Sequence, residues 1–374
     1  MEGTCDPRFD EVREILSTQL DTGADLGASV AVYLHGEPVV DIWGGWADSA
    51  QTTRWEHDTI TNVWSTTKTM TFLVALMLAD RGELDLHAPV AKYWPEFAAN
   101  GKGRIEVRHV LGHTSGLSGW EESLAAEDLA DWELCTSRLA AQAPWWEPGT
   151  ASGYHALTQG FLIGEIVRRV TGTSLGTFFA REVAEPLGAD FHIGLPESED
   201  SRVSDVIPPP PIDMGSFEGP IPELMLKTFM NPLIDATMAH HEWWRRAEIP
   251  AANGHGNARS VAAVQSIVAG RGEARGVRLL STAGTAPIFE LQADGLDLVL
   301  GARVRMGMGY GLRNPPEMPI GPEACYWNGF GGSLIVMDLE AELTVCYVMN
   351  RMDAGLSGDP RGTDILAAAQ AAAS

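Results

Sequence analysis

The first part of the chain has a hydrophobic pattern that predicts a helix followed by a β-hairpin. Apolar residues recur at helical spacing in residues 8–20. Two short apolar runs, 29–33 and 39–43, flank the turn-forming sequence His35-Gly36-Glu37-Pro38 and predict two paired strands. A second helix is predicted over residues 65–80, and because it is apolar on nearly every side, we expect it to lie inside the protein.

The middle of the chain is mainly helical, and strand patterns return only near its end. Helical periodicity covers residues 156–170 and 175–183. The later strand patterns fall at 297–304, 326–337 and 343–349, before an alanine-rich helix at 363–373. Because strands from both ends of a chain can pair in one antiparallel sheet, we predict a sheet domain of residues 1–83 and 245–374, with residues 84–244 as a mainly helical lobe.

A proline-rich insertion is predicted within the helical lobe, at about residues 196–240. Pro208-Pro209-Pro210-Pro211 can continue neither a helix nor a central strand, so we expect an exposed connection there. A short helical segment at 224–241 should follow it. Proline runs also serve as ligands of SH3-type domains, but a rigid loop explains these prolines without a partner.

Composition and charge indicate an ordinary globular protein. Of the 374 residues, 45% are hydrophobic and 20% are charged, and the formal net charge is −24. Such a charge repels nucleic acid and anionic lipid surfaces, so we expect neither as a partner. The chain starts without a basic stretch that leads into an apolar segment, and no apolar run reaches the ~18 residues of a membrane span. We therefore expect a cytoplasmic protein.

No metal site and no cofactor are predicted. The four cysteines lie far apart and form no C-x-x-C pair, so neither a zinc site nor a disulfide framework is indicated. His240-His241-Glu242 lacks the H-E-x-x-H spacing of a zinc site, and the other histidines form no cluster with cysteine or carboxylate residues.

Ser65-Thr66-Thr67-Lys68 is an S-x-x-K tetrad at the start of the predicted buried helix. Residues three positions apart lie on one helical face, so the serine hydroxyl and the lysine amine can touch. A lysine surrounded by apolar residues has a lowered pKa and can take the hydroxyl proton near neutral pH. The alternative is that Ser65 caps the helix and Lys68 is a solvated charge, but a buried helix leaves little room for a solvated lysine.

Gly172-Thr173-Ser174-Leu175-Gly176 contains a second candidate nucleophile. It matches the G-x-S-x-G sequence of α/β-hydrolases, in which the serine lies between a strand and a helix. Here the pattern places a helix on each side of the serine instead. We therefore predict that Ser174 is a helix N-cap.

Several motifs resemble those of family VIII carboxylesterases, which are relatives of class C β-lactamases. The similar segments are residues 62–68, 111–117, Pro148-Gly149 with Tyr154, 248–256, 307–311, 331–333 and 348–352. The resemblance covers nearly the whole chain and is weakest at about 196–240. It implies an α+β (α/β) fold of the serine β-lactamase and penicillin-binding-protein type, in which an antiparallel sheet is flanked by helices and joined to a mainly helical lobe.

The resemblance also implies a set of site residues. Tyr154-His155-Ala156 falls on the family's Tyr-x-Asn motif, so Tyr154 joins Ser65 and Lys68 as a catalytic residue that moves protons. Trp327-Asn328-Gly329 falls on the Lys-Thr-Gly motif and is similar to the W-x-G of esterase members. The oxyanion hole implied is formed by the backbone N–H groups of Ser65 and Phe330. The residues implied to contact the substrate are His155, Trp327 and Gly329.

Two departures from the β-lactamase pattern favour an ester substrate. Ala156 and Trp327 replace an asparagine and a lysine, so the groups that hold the amide and the carboxylate of a β-lactam are missing. We therefore predict a serine carboxylesterase that hydrolyses short-chain esters through an acyl-enzyme on Ser65. As a further hypothesis, one or both of the pairs Trp145-Trp146 and Trp243-Trp244 line the acyl or alcohol pocket; the alternative is that they pack within the helical lobe.

Other functions stay open at this point. The same site chemistry serves β-lactam or amide hydrolysis and acyl transfer to an alcohol, because all of them pass through an acyl-enzyme. A protein of another class, a catalytically silent binding or scaffold protein, could use the same fold. The partner expected is a small-molecule ester, and the sequence does not indicate an oligomeric state.

Overall fold

The computed structural model describes residues 1–210, 221–316, 318, 320–355 and 359–374, and an antiparallel sheet of nine strands lies at its centre. The strands are β1 (Glu2–Cys5), β2 (Gly27–Leu34), β3 (Glu37–Gly45), β4 (Thr61–Asn62), β5 (His255–Gly256), β6 (Glu273–Ala274), β7 (Val277–Arg278), β8 (Ala293–Leu296), β9 (Arg303–Met306), β10 (Gly311–Leu312), β11 (Ala324–Asn328), β12 (Leu334–Asp338) and β13 (Leu343–Met349). The order in the central sheet is β1-β3-β2-β13-β12-β11-β10-β9-β8, so the two ends of the chain meet between β2 and β13.

Helices cover both faces of this sheet. The α-helices of the described residues, on the sheet and elsewhere, are α1 (Asp10–Thr22), α2 (Lys68–Asp80), α3 (Val107–Leu111), α4 (Trp132–Ala141), α5 (Thr158–Thr171), α6 (Leu175–Phe179), α7 (Glu185–Leu187), α8 (Glu223–Phe229), α9 (Glu242–Arg246), α10 (Ala258–Ala269) and α11 (Pro360–Ala373). Because β2 and β13 are buried at every position, the sheet must be covered on each side. α10 packs on β2, β12 and β13, whereas α1 and α11 pack on each other and on β2 and β13 respectively. The predicted antiparallel sheet flanked by helices is confirmed.

The elements predicted at the start of the chain are present. α1 follows a short 3₁₀ turn and ends at Gly23, whose φ of 76° suits a glycine C-cap. β2 and β3 form the predicted hairpin, in which Val30 lies opposite Ile42. The strand predicted at 343–349 is β13, with the same bounds.

The predicted buried helix lies inside the protein, although it begins later than its sequence pattern indicates. α2 starts at Lys68, because Trp64–Thr67 form a 3₁₀ turn. All residues from 68 to 78 are buried, and α2 packs against α5 and α6. The lysine of the S-x-x-K tetrad therefore enters the protein core at the first position of the α-helix.

Two predicted strands are each interrupted by a turn. The segment 297–304 is strand only from Arg303, because the Asp297 carboxylate accepts the N–H groups of Val299 and Leu300 and closes a turn. The segment 326–337 is divided between β11 and β12. Gly331 and Gly332 have φ values of 89° and 124° and make the reversal between these strands.

The helical middle of the chain also differs from the prediction in its bounds. α5 begins at Thr158 instead of residue 156, and Tyr154 lies in an irregular segment before the helix. The helix predicted at 175–183 is α6 followed by a π-helical turn over Ala180–Ala184. The division into a domain of residues 1–83 with 245–374 and a lobe of residues 84–244 stays a prediction.

The proline-rich insertion is described in part. Pro208 and Pro210 are exposed and lie outside helix and strand, as expected, whereas Pro211 lies outside the described residues. The helical segment predicted at 224–241 contains α8 and a 3₁₀ turn at Ala236–His240. Within the described parts of the chain, no helix combines the length and apolar character that crossing a bilayer requires.

Candidate active site

Ser65 lies in a strained turn that directly precedes the buried helix. Trp64 has a φ of 49°, in the left-handed region that residues other than glycine rarely adopt. The Trp64 ring packs against Trp244 and Phe330, with ring centroids 5.5 and 5.7 Å apart. This packing holds the turn, and Ser65 stays half-buried while its neighbours on both sides are buried.

Lys68 is completely buried. Its Nζ donates to the carbonyl oxygens of Ala156 and Ala251 at 2.7 and 2.9 Å and lies 3.1 Å from Ser65 Oγ. No ion pair involves Lys68 among the described residues. Burial lowers the pKa of Lys68 well below the ordinary 10.5, because the charged form loses its hydration. The amine can therefore be neutral and accept a proton.

Tyr154 completes a group of three polar side chains around the Ser65 hydroxyl. Its phenol donates to Ser65 Oγ at 2.7 Å, and Lys68 Nζ lies 5.0 Å from the centre of its ring. Loss of hydration raises the pKa of Tyr154 above the ordinary 10.0, so the phenol keeps its proton at neutral pH. The structure thus brings together the three residues that the sequence predicted as catalytic.

The segment that carries Tyr154 is fixed on one side by His113. The His113 carbonyl accepts the Gly153 N–H at 2.9 Å, and its Nδ1 accepts the His155 N–H at 2.9 Å. The His113 ring stacks on Trp327 with centroids 5.6 Å apart and planes 12° apart. Burial lowers the pKa of His113 well below 6.5, which keeps its Nδ1 available as an acceptor.

His155 is buried in the protein, and both of its ring nitrogens are used there. Nδ1 lies 2.6 Å from the Gly153 carbonyl oxygen, and Nε2 lies 2.6 Å from Ser115 Oγ. Burial lowers the pKa of His155 to about 3, so the ring is neutral. The side chain is 0% exposed. The structure therefore does not bring this ring to a surface that a substrate could contact, and His155 instead fixes the backbone beside Tyr154.

Gly329 allows the loop after β11 to approach the Ser65 turn. A Cβ at this position would lie 2.2 Å from Ser333 Oγ and 2.4 Å from the Val63 carbonyl oxygen. Ser333 Oγ also donates to that carbonyl at 3.0 Å and lies 2.9 Å from Thr66 Oγ1. Residue 330 follows directly, so its backbone is held beside the turn that carries Ser65.

Trp327 lies beneath the tyrosine. It is 5% exposed, and its ring lies 5.2 Å from Phe72 and 6.3 Å from Tyr154, measured between centroids. With His113 it forms an aromatic layer that excludes water from one side of the site. An aromatic side chain thus stands where the related β-lactamase motif has lysine.

The paired tryptophans occupy positions near the site. Trp146 packs on Gly153, where a Cβ would lie 2.4 Å from its ring, and its Nε1 donates to the Ala151 carbonyl at 2.9 Å. Trp244 contacts Trp64 and donates from Nε1 to Asn62 Oδ1 at 3.0 Å. The role of either pair in an acyl or alcohol pocket stays a prediction.

Asp297 is a residue of this region that the sequence reasoning missed. Its Oδ1 accepts the backbone N–H of Tyr154 at 3.0 Å, although the two residues are 143 positions apart. The sequence pattern assigned Asp297 to a strand, so it gave no signal of this contact. The Ala156 and Ala251 carbonyls that bind Lys68 were missed as well. Every residue has a backbone carbonyl, so no residue type in the sequence indicates such a contact.

Ser174 lies at the N-terminus of α6, as predicted. Its Oγ accepts the Thr177 N–H at 3.3 Å and donates to Glu248 Oε1 at 2.6 Å. Its partners are therefore its own helix and a carboxylate, and no lysine or histidine bonds to it among the described residues. The described parts of the chain also bring together no three His, Cys, Asp or Glu side chains that could hold a metal ion.

A serine, a lysine three positions later and a tyrosine, set between a helix-covered antiparallel sheet and helices, define the penicillin-recognising class of serine hydrolases. Residues 12–370 match the family model described as Beta-lactamase, and the chain belongs to this family. It is 36% identical over 362 residues to the Esterase/beta-lactamase LipL of Mycobacterium tuberculosis (strain ATCC 25618 / H37Rv), with 94% of this chain and 83% of the relative covered.

Solved structures agree with this assignment. The crystal structure of a family VIII carboxylesterase has 40% sequence identity and a TM-score of 0.94, with 99% of each chain covered. A penicillin-binding protein homologue from Caulobacter crescentus has 37% identity and a TM-score of 0.93, again with 99% of each chain covered. The predicted fold, the resemblance to family VIII carboxylesterases and the assignment to serine hydrolases are confirmed.

Proposed function

We propose that this protein hydrolyses carboxylic esters, with short acyl chains, through an acyl-enzyme on Ser65. One observation carries the proposal: Ser65 Oγ lies 3.1 Å from the buried Lys68 amine and 2.7 Å from the Tyr154 phenol. A hydroxyl is a weak nucleophile until a neighbouring base removes its proton. The names of similar proteins support the ester class, since LipL is called an esterase and one of the similar solved structures is a family VIII carboxylesterase.

In the proposed first step Lys68 acts as the base. The two carbonyl oxygens that bind its Nζ take two N–H bonds of a neutral amine, which leaves the lone pair directed at Ser65 Oγ. The hydroxyl proton passes to this lone pair while Oγ attacks the ester carbonyl carbon. The ammonium that forms is then bound by the same two carbonyls, so no group has to move to stabilise it.

Tyr154 is the proposed proton donor to the leaving group. When the C–O bond of the ester breaks, the alkoxide oxygen takes the phenol proton, and the proton held by Lys68 returns to the tyrosine. The raised pKa of Tyr154 keeps this proton in place until an alkoxide, a stronger base, is formed. Water then attacks the acyl carbon while Lys68 accepts its proton, the bond between the acyl carbon and Ser65 Oγ breaks to release the acid, and Ser65 Oγ takes the proton from Lys68.

The backbone N–H groups of Ser65 and Phe330 are the proposed oxyanion hole. Two features support this role. Close contact between Gly329 and the Val63 carbonyl sets the Phe330 backbone next to the nucleophile turn. In addition, neither N–H donates to a protein acceptor among the described turn, loop and cap hydrogen bonds. Two such donors can stabilise the negative charge that develops on the carbonyl oxygen.

The surroundings of the site favour a neutral ester over a β-lactam. Trp327 is apolar and Ala156 contributes only its carbonyl, which already binds Lys68. Trp327 and Gly329 are the residues we propose as substrate contacts. A β-lactamase or acyltransferase activity remains the second candidate, because LipL carries both esterase and beta-lactamase in its name. A cytoplasmic location and a small ester as the partner belong to the same proposal.

The substrate class is tested by comparing initial rates with p-nitrophenyl butyrate and with a chromogenic cephalosporin, each with and without added alcohol. The proposal expects a higher kcat/KM for the butyrate ester, and a lower one for p-nitrophenyl palmitate. The Ser65→Ala variant serves as the background for every substrate. Faster cephalosporin turnover, or alcohol acylation in preference to hydrolysis, would replace the ester proposal by its second candidate.

A further inference from the structure

Asp297 lies beside the proposed catalytic tyrosine, and we propose that it is a positioning residue that holds Tyr154 in place to protonate the leaving alkoxide. The inference rests on the proposed function, since it assigns Asp297 a part in that same proton transfer. Asp297 itself touches no reacting atom. Its effect passes through the backbone of Tyr154.

The geometry that supports this role joins two segments far apart in the sequence. Asp297 Oδ1 accepts three backbone N–H groups, from Tyr154 at 3.0 Å and from Val299 and Leu300 at 2.9 Å each. The Leu298 N–H in turn donates to the Ser152 carbonyl at 2.8 Å. The turn between β8 and β9 is thereby bound to the tyrosine segment by two hydrogen bonds, one on each side of Gly153.

The opposite side of the tyrosine segment shows why the Asp297 bond matters. His113 binds the N–H groups of Gly153 and His155, the two residues that flank Tyr154. The N–H of Tyr154 itself is bound by the Asp297 carboxylate. Removing that acceptor frees the peptide unit that sets the direction of the phenol, while the neighbouring residues stay fixed.

Asp297 is more deeply buried than it needs to be in order to close the turn between β8 and β9 at the sheet edge. The side chain is 1% exposed, and within the described residues Asp297 has no cationic partner and its Oδ2 has no hydrogen bond. A buried carboxylate without a counter-ion is unfavourable unless backbone N–H groups compensate it. Other charged or titratable groups around the Tyr154 ring are Lys68 and His113, from α2 and the segment after α3. After desolvation, the Asp297 charge is a further cause of the raised pKa of Tyr154.

The test uses the dependence of the rate on the leaving group. A p-nitrophenolate leaves without a proton, whereas the alkoxide of an ethyl ester needs one, so loss of the proton donor harms the ethyl ester more. Tyr154→Phe should therefore lower kcat on ethyl butyrate by about 10²–10⁴-fold. The loss of kcat on p-nitrophenyl butyrate should be smaller than this by a factor of about ten or more. Asp297→Ala should show the same selective loss, at least about tenfold on the ethyl ester, with little change in KM.

Conservative and combined variants separate positioning from general damage. Asp297→Asn keeps the Oδ1 acceptor and should recover most of the ethyl ester activity. On ethyl butyrate, the double variant of Asp297→Ala and Tyr154→Phe should have a kcat only slightly below that of Tyr154→Phe alone, because both changes remove the same proton donation to the leaving group. Asp297→Ser, whose hydroxyl can still cap the turn but is one bond shorter, replaces the alanine variant if that does not fold. Asp294→Ala, which loses an exposed ion pair to Arg303 in the same hairpin, is the matched control and should behave as the parent.

The outcomes distinguish this inference from the proposed function. If Tyr154→Phe shows no dependence on the leaving group, the proposed role of the tyrosine fails first. The second case is that Tyr154→Phe shows this dependence, but a folded Asp297→Ala or Asp297→Ser slows the hydrolysis of both esters by the same factor. Asp297 then has only a structural role, and the inference is overturned. The inference would also be overturned if Asp297→Ala lowered kcat on the ethyl ester by the same factor in Tyr154→Phe as in the parent.

Discussion

Ser65 and Ser174 both precede a helix and both match a nucleophile motif, yet their surroundings differ in charge and burial. Ser65 Oγ contacts the amine of Lys68 and the phenol of Tyr154, and within the part of the chain that the structure describes neither group is paired with a carboxylate. Ser174 Oγ donates to the Glu248 carboxylate and accepts from its own helix. A neighbouring base with a lowered pKa activates a hydroxyl, whereas the hydrogen bonds of an N-cap hold the Ser174 hydroxyl against its own helix and Glu248.

The comparison shows that a short motif predicts chemistry only through the environment it creates. Lys68 is suited to the proposed role of base because α2 places it in the core, where burial lowers its pKa. Among the described residues, no amine forms a hydrogen bond with Ser174.

Replacing each serine by alanine should distinguish the roles of Ser65 and Ser174 most clearly. Ser65→Ala should lower kcat/KM on p-nitrophenyl butyrate by about 10⁴-fold or more, because the acyl-enzyme can no longer form. Ser174→Ala should stay within about threefold of the parent, since its hydroxyl touches no reacting group. Steady-state rates of both purified variants check this. Retained activity in Ser65→Ala would remove the proposed nucleophile.

The lysine beside Ser65 provides the next test. Lys68→Arg keeps the positive charge but cannot lose it, so it should lower kcat by about 10²–10⁴-fold. Lys102→Arg is the matched control, because Lys102 is also buried without a carboxylate and binds backbone carbonyls, yet lies away from the site. Comparable losses in both variants would show that burial of any lysine, not its contact with Ser65, sets the rate.

The same lysine sets the expected pH dependence. The active form is the neutral amine, which exists above the lowered pKa of Lys68, so kcat/KM should fall as pH drops through that value. Because the pKa of Tyr154 is raised above 10.0, no loss from the tyrosine is expected below that pH. The profile, corrected for spontaneous hydrolysis, should therefore rise at a pH well below 10.5 and then stay level. A rise that follows an ordinary lysine at 10.5 would contradict the burial argument.

The loop beside Ser65 gives a smaller effect. Gly329→Ala would place a methyl group 2.4 Å from the Val63 carbonyl oxygen, so the loop must shift and carry the Phe330 N–H with it. We expect kcat to fall by about 10²–10³-fold, as for loss of one oxyanion donor, with KM changed less. Gly295→Ala, at a position with open space on the edge strand, should leave kcat unchanged. Equal rates for the two variants would rule out the proposed oxyanion hole.

The smallest expected effect concerns stability at Ser174. Ser174→Ala removes the N-cap of α6 and should lower the free energy of unfolding by about 1 kcal/mol. For a chain of this size Tm should fall by about 1–3 °C, measured by thermal unfolding. Ser137→Ala, an exposed serine inside α4, should not lower Tm, because alanine is the better helix former. An unchanged Tm in Ser174→Ala would contradict its assignment as a cap.

Much of the fold could be predicted because its central elements repeat simple patterns. β2 and β13 are apolar runs, and α2 is apolar on all sides, so hydrophobic periodicity located all three. The errors lie where local backbone chemistry interrupts such a run. Gly331 and Gly332 reverse the chain within a strand-like segment, and the Asp297 carboxylate closes a turn that depends on contacts absent from any periodicity.

Only the part of the site formed by side chains that belong to recognisable motifs could be predicted from the sequence. Ser65, Lys68 and Tyr154 come from motifs, and the structure places them in contact. Burial of His155 could not be foreseen, because its ring nitrogens bond to Ser115 and to a backbone carbonyl. Nor could the contact between Asp297 and Tyr154, which the fold creates across 143 positions.

Whether Ser65 is the nucleophile can be tested by locating the serine that a fluorophosphonate modifies. After inactivation at neutral pH, mass spectrometry of the digested protein should find one adduct, on the peptide that contains Ser65, and the Lys68→Arg variant should be labelled far more slowly. An adduct on Ser174, or no adduct on a protein that is active towards esters, would contradict the account.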